Sequence, residues 1–109
     1  MKKRKFYAQG DLFLKEAEIP SEAEEKRMQK KGYVLAEGEA TGHTHLIPRK
    51  YATVTKMYEH DKKVYLAILG VAEIVHPEHK TLVLPVGNYE IGQVREYDPF
   101  EEETRAVRD

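Results

Sequence analysis

The chain has 109 residues, which sets it at one domain, 1–109, with enough apolar surface to bury a core of its own. Its 18 Lys and Arg against 19 Asp and Glu leave a net charge of -1, which argues against broad electrostatic binding to DNA. It has no cysteine, so disulfides, thiol catalysis and thiolate metal ligands are excluded, and no apolar run nears the roughly 20 residues that span a bilayer.

The apolar pattern has a period of two almost throughout. Phe6-Tyr7 leads into Gln9-Gly10-Asp11 and then Leu12-Phe13-Leu14, and the Gly10-Asp11 pair reads as a bend between two short extended pieces. Residues 21–31 read as a short surface helix. Ser21 can cap it, Glu24 completes a capping box, acids lead, bases trail, and Gly32 ends it. Its apolar face is little more than Ala23 and Met28. Strands are expected at Tyr33 to Ala40 and His43 to Ile47, with Thr41-Gly42 between them and Pro48 after them. Ala52 to Tyr58 and Lys63 to Leu69 flank a hairpin turn at Glu59-His60-Asp61-Lys62. Val71 to Val75 and Thr81 to Leu84 flank a loop at His76-Pro77-Glu78-His79-Lys80, because Pro77 cannot sit in a central strand. Tyr89 to Tyr97 follows a turn at Pro85 to Asn88. Asp98-Pro99-Phe100-Glu101 has the cap, the first-turn proline and the acid of a short C-terminal helix.

About seven or eight short strands, with turns every eight to ten residues, predict a mainly β domain. Its expected form is a single small antiparallel β-barrel or sandwich, with one short surface helix and a short C-terminal helix.

Four of the five histidines fall in two tight groups. His43 and His45 sit two apart in Gly42-His43-Thr44-His45, so a strand would point both rings the same way. His76 and His79 bracket Pro77-Glu78. One reading is a metal centre with His43, His45, His76 and His79 as ligands. Three imidazoles with an open position suit Zn, and His with carboxylate suits Mn, Fe or Ni. A second reading uses the same rings without metal. A histidine pair can act as general base and general acid on a phosphodiester. His43 and His45 would then work with Glu78, and Arg95 would hold the phosphate in a bidentate contact. Histidines flanking turns are also common as plain surface or hydrogen-bonded residues. No Asp or Glu in Gly42 to Arg49 can orient either ring, which leaves Glu37 and Glu39 as candidate orienters if the strands form a hairpin.

The sequence resembles a set of small uncharacterised bacterial β-rich proteins. The shared scheme is Gln9-Gly10-Asp11, Gly42-His43-Thr44-His45 and Arg95-Glu96-Tyr97-Asp98-Pro99, and it runs nearly end to end. That resemblance implies no activity. A partial resemblance to the cupins, which are metal-binding β-barrels, rests on Gly42-His43-Thr44-His45 and Leu84-Pro85-Val86-Gly87. It departs where Pro48, Arg49, Lys50 and Tyr51 replace the expected Glu, and where Asn88 and Tyr89 replace the expected His.

The expected function is a metal-dependent or histidine acid/base hydrolase of a phosphoester, either a nucleotide or RNA. The alternative is a β-barrel binding module or a dimeric regulatory protein with incidental histidines. A divalent metal and a nucleotide or RNA substrate are the expected ligands, and a homodimer the expected assembly. Tyr51, Tyr58, Tyr65, Tyr89 and Tyr97 could stack bases on a sheet, and Lys2-Lys3-Arg4-Lys5 could touch phosphates. The positive N-terminus has no apolar run behind it, so the expected location is the cytoplasm. Abundant Lys and Glu with no Cys or Trp fit a thermophile.

Overall fold

Alternating apolar and polar residues, cut at short intervals by Gly, Pro and Asp, make ten short strands in the computed structural model, which describes residues 5–37 and 44–93. In chain order these are β1 (Phe6–Gln9), β2 (Leu12–Glu16), β3 (Glu24–Lys26), β4 (Gly32–Glu37) and β5 (Thr44–Pro48). After a 3-10 turn at Arg49–Tyr51 come β6 (Thr55–His60), β7 (Lys63–Ile68), β8 (Ala72–His76), β9 (His79–Leu84) and β10 (Gly87–Gln93). All the described pairings are antiparallel. A first sheet has the order β1-β2-β10-β7-β6-β3, and a second has β4-β5-β8-β9.

The inner faces of the two sheets share one core. Leu12, Leu14, Leu66, Ile68 and Tyr89 come from the first sheet, and Tyr33, Ile47, Ala72, Ile74 and Leu84 from the second. Each Leu or Ile so buried contributes roughly 1.5–3 kcal/mol. Tyr89 is buried with its hydroxyl turned back toward the start of its own strand, where it donates to the Pro85 carbonyl at 2.9 Å. Burial, with Tyr7 and Glu16 close by, pushes its phenol up to about 12.

Two expectations are corrected. The segment at 21–31 is not a helix: Glu24–Lys26 forms β3, paired with Met57–Glu59 of β6. With only Ala23 and Met28 to bury, a helix here has no apolar stripe to repay its nucleation. The edge of β6 offers a ladder instead, with Lys26 2.8 Å from Glu59 and Lys56 3.5 Å from Glu25 across it. The barrel, in turn, does not close among the described residues. β1 and β9 lie side by side, but no backbone ladder joins them. A side chain spans the gap: Gln9 Nε2 donates to the Lys80 carbonyl at 2.8 Å. The expected C-terminal helix lies outside the described residues. Among the described residues, no helix is long and apolar enough to cross a membrane.

Candidate functional site

The polar cluster of the molecule forms where three hairpins meet at the open seam. The β1–β2 hairpin turns on Gly10 and Asp11, between the paired residues Gln9 and Leu12. Gly10 has φ +59, as a two-residue turn with glycine first requires. A side chain there would also strike the His79 ring, so the glycine lets the two hairpins touch. This turn aims Gln9 and Asp11 at the second sheet.

His45 on β5 receives them. Its inward parity is that of Ile47, and it is 2% exposed. Its Nδ1 lies 2.8 Å from Gln9 Oε1, and its Nε2 lies 2.9 Å from Asp11 Oδ1. The Gln9 amide cannot be reversed, because its nitrogen already donates to the Ile74 carbonyl at 2.9 Å as well as to Lys80. Both ring nitrogens of His45 therefore face oxygen acceptors, Gln9 Oε1 on one side and Asp11 Oδ1 on the other. Partial burial works against ionising Asp11, but hydrogen bonds from Gln93 and His45 outweigh it and hold the carboxyl below its ordinary value. The Gln93 amide donates to Asp11 Oδ2 at 2.7 Å.

His76 and His79 stand opposite each other across the β8–β9 turn, where Pro77-Glu78 form the tip. The expected loop from His76 to Lys80 is thus a tight hairpin with both histidines in strands. The Glu78 amide donates to His76 Nδ1 at 3.0 Å, so a neutral His76 carries its proton on Nε2. The His76 ring lies 4.4 Å from that of His45 and 4.6 Å from that of His79. The His45 and His79 rings are nearly parallel, 6.1 Å apart.

The backbone is adapted to this grouping. Two register shifts occur in the described ladders, one at Val34/Ala36 opposite His45 and one at Ile74/His76. Bulges of this kind re-aim side chains and are common beside functional sites.

Of the residues singled out in the sequence, His45, His76 and His79 come together, and Glu78 joins them through its backbone amide. His43, Glu39 and Arg95 lie outside the described residues. β4 and β5 do form a hairpin, with Glu37 opposite Thr44, but the ring of His45 is oriented from the other sheet by Gln9 and Asp11. Gln9, Asp11 and Gln93 were not among the expected site residues. The Gln-Gly-Asp run was the available signal, yet its link to His45 spans more than 30 residues of chain. Among the described residues, no group of three or more His, Asp or Glu could hold a metal ion. His45 has no ring nitrogen to give without breaking a bond to Gln9 or Asp11.

The chain belongs to the family described as Domain of unknown function (DUF8820), whose model matches residues 8–94. The match takes in Gln9, Asp11, His45, His76, His79 and Gln93. No curated protein and no solved structure matches the chain.

Proposed function

We propose that this protein is a small hydrolase or transferase of phosphoesters, a nucleotide or RNA, working by histidine acid/base chemistry at the β8–β9 tip. The observation that carries the reading is the division of labour among three adjacent imidazoles. His45 is locked on both nitrogens, so it is a positioning residue, while His76 and His79 are presented at the rim. In the reaction, one of these two rings takes the proton of the attacking hydroxyl, from water or a ribose 2′-OH. The new P–O bond forms, the bond to the leaving oxygen breaks, and the other ring supplies the proton that oxygen needs. Arg95 and His43 keep their expected parts as phosphate holder and further imidazole on the sequence alone.

The metal-dependent form of the reading keeps His76 and His79 as ligands and loses His45. A binding module is a second reading, favoured by the completeness of the Gln9–His45–Asp11 network, which also serves as a tie between the sheets. One experiment sorts the three. Untagged protein is analysed for metal by elemental mass spectrometry and assayed on RNA dinucleotides and cyclic nucleotides with and without EDTA. Metal-free catalysis predicts turnover in EDTA, a bell-shaped pH profile, and loss of about a hundredfold or more in His76→Ala and His79→Ala. Turnover abolished by EDTA, with stoichiometric metal, supports the metal form. No turnover of any substrate leaves the binding module.

A further inference from the structure

We infer that the outer face of the first sheet, at Phe6 and Phe13, is a stacking platform for single-stranded nucleic acid. The strand registers put Phe6 and Ala8 of β1, Phe13 and Lys15 of β2, and Glu90 and Gly92 of β10 on the face turned away from the core. Phe13 lies over Gly92: a side chain at that position would occupy the space of the Phe13 ring. The end of the ring therefore reaches over the neighbouring strand. Phe6 packs nearly parallel to it, with 5.6 Å between centroids and 15° between planes, and remains 61% exposed.

Burial of a phenylalanine in a core needs no such arrangement, and a β-edge gains little by leaving one bare. Two near-parallel rings on a sheet surface match the π-faces of successive bases, which stack without regard to sequence. Two described lysines flank the rings: Lys5 precedes Phe6 in the chain, and Lys15 stands directly across the strand pair from it. Glu90, beside Lys15, is the acid on this face of the three strands. The net charge of -1 argues against broad electrostatic binding, but not against lysines placed beside an aromatic pair. Two of the tyrosines suggested by the sequence are poorer candidates: Tyr65 is 6% exposed and Tyr89 is 1% exposed.

The platform shares its strands with the histidine site, on the opposite face of the sheet. Gly92 is followed by Gln93, which holds Asp11, and Phe13 follows the same hairpin turn as Asp11. A strand stacked on Phe6 and Phe13 would run along the hairpin that carries Gln9 and Asp11. This names the polymer for the phosphoester reading, but it rests on a different surface and can stand or fall alone.

The test is fluorescence anisotropy of the full chain with labelled dodecamers of deoxythymidine, of 2′-O-methyl uridine, and of a duplex of equal length, in EDTA at low salt. These probes do not undergo 2′-hydroxyl cleavage, so binding is read apart from catalysis. Single strands are expected to bind more tightly than the duplex, with affinity falling as salt rises. Phe6→Ala should weaken binding about tenfold, the loss of one stacked base. Phe6 is largely exposed, so that variant should keep the wild-type melting curve. Phe13→Leu gives a second check that retains the apolar cover on Gly92. Equal affinity for duplex and single strand, no binding at 100-micromolar protein (about the weak limit of non-specific association), or unchanged affinity in both Phe variants would overturn the platform.

Discussion

Two tight turns of this molecule carry similar chemistry and come to different ends. The β6–β7 turn runs His60-Asp61-Lys62-Lys63 and the β1–β2 turn runs Gln9-Gly10-Asp11-Leu12. In the first, Asp61 and Lys62 adopt φ of 55 and 69, the two positive angles of a type I′ turn, and both are exposed. Asp61 therefore decorates a solvated corner, with His60 half-buried beside it. In the second, a single glycine takes the positive angle, and the turn lands against the β8–β9 hairpin. There Asp11 meets a buried imidazole and Gln9 meets two backbone carbonyls. A His or Asp in a turn is thus functionally mute until another sheet is placed over it.

The largest test of that contrast is His45→Ala set against His60→Ala. Removing His45 leaves Gln9 Oε1 and the Asp11 carboxylate without their partner and opens a space between the sheets. The expected loss is about 3–5 kcal/mol by urea denaturation. His60→Ala should stay within about 0.5 kcal/mol. Equal losses at the two sites would erase the distinction.

A smaller effect is expected from acid. Asp11 ionises more readily in the folded chain than in the unfolded one, so the folded state binds fewer protons there. Its contribution to stability is present above the ordinary carboxylate value, near 4, and is lost as pH falls through the lower folded value. Asp11→Asn should flatten the acid limb of the stability curve by comparison with the wild type. Superimposable acid limbs would show that Asp11 is not tied to His45 in solution.

The smallest change should come from the other turn and should have the opposite sign. Lys62 holds a left-handed angle that costs a side-chain-bearing residue about 1 kcal/mol. Lys62→Gly is expected to stabilise by roughly 0.5–1 kcal/mol and to leave the histidine cluster untouched, as melting temperature and histidine ring NMR signals would show. Movement of the His76 or His79 signals would mean that the two turns are coupled.

Much of the strand pattern was readable in advance because a half-buried strand writes its burial into alternate residues. Lys63–Ile68 puts Val64, Leu66 and Ile68 on the core face and was expected as a strand nearly to the residue. The segment at 21–31 misled because capping signals are local, and they say nothing about whether an apolar stripe exists to hold the helix down. Glu24–Lys26 became a strand because β6 had an open edge. The loop expected at His76 to Lys80 proved to be a two-residue turn because Pro77 sits at the tip, where its missing N–H is not needed.

The site divides in the same way. The two histidine pairs are visible as clusters in the chain, and His45, His76 and His79 do converge. Their partners could not be read from spacing, since Gln9 and Asp11 belong to the other sheet and reach His45 only when β1 folds beside β9. By itself, then, the sequence determined the strands, most of the turns and the residue types that could do chemistry, because these depend on neighbours within a few positions. Tertiary structure alone decided that one imidazole would be locked as a strut and two presented at the rim. That choice depends on which hydrogen-bond acceptors a distant hairpin delivers to a buried ring.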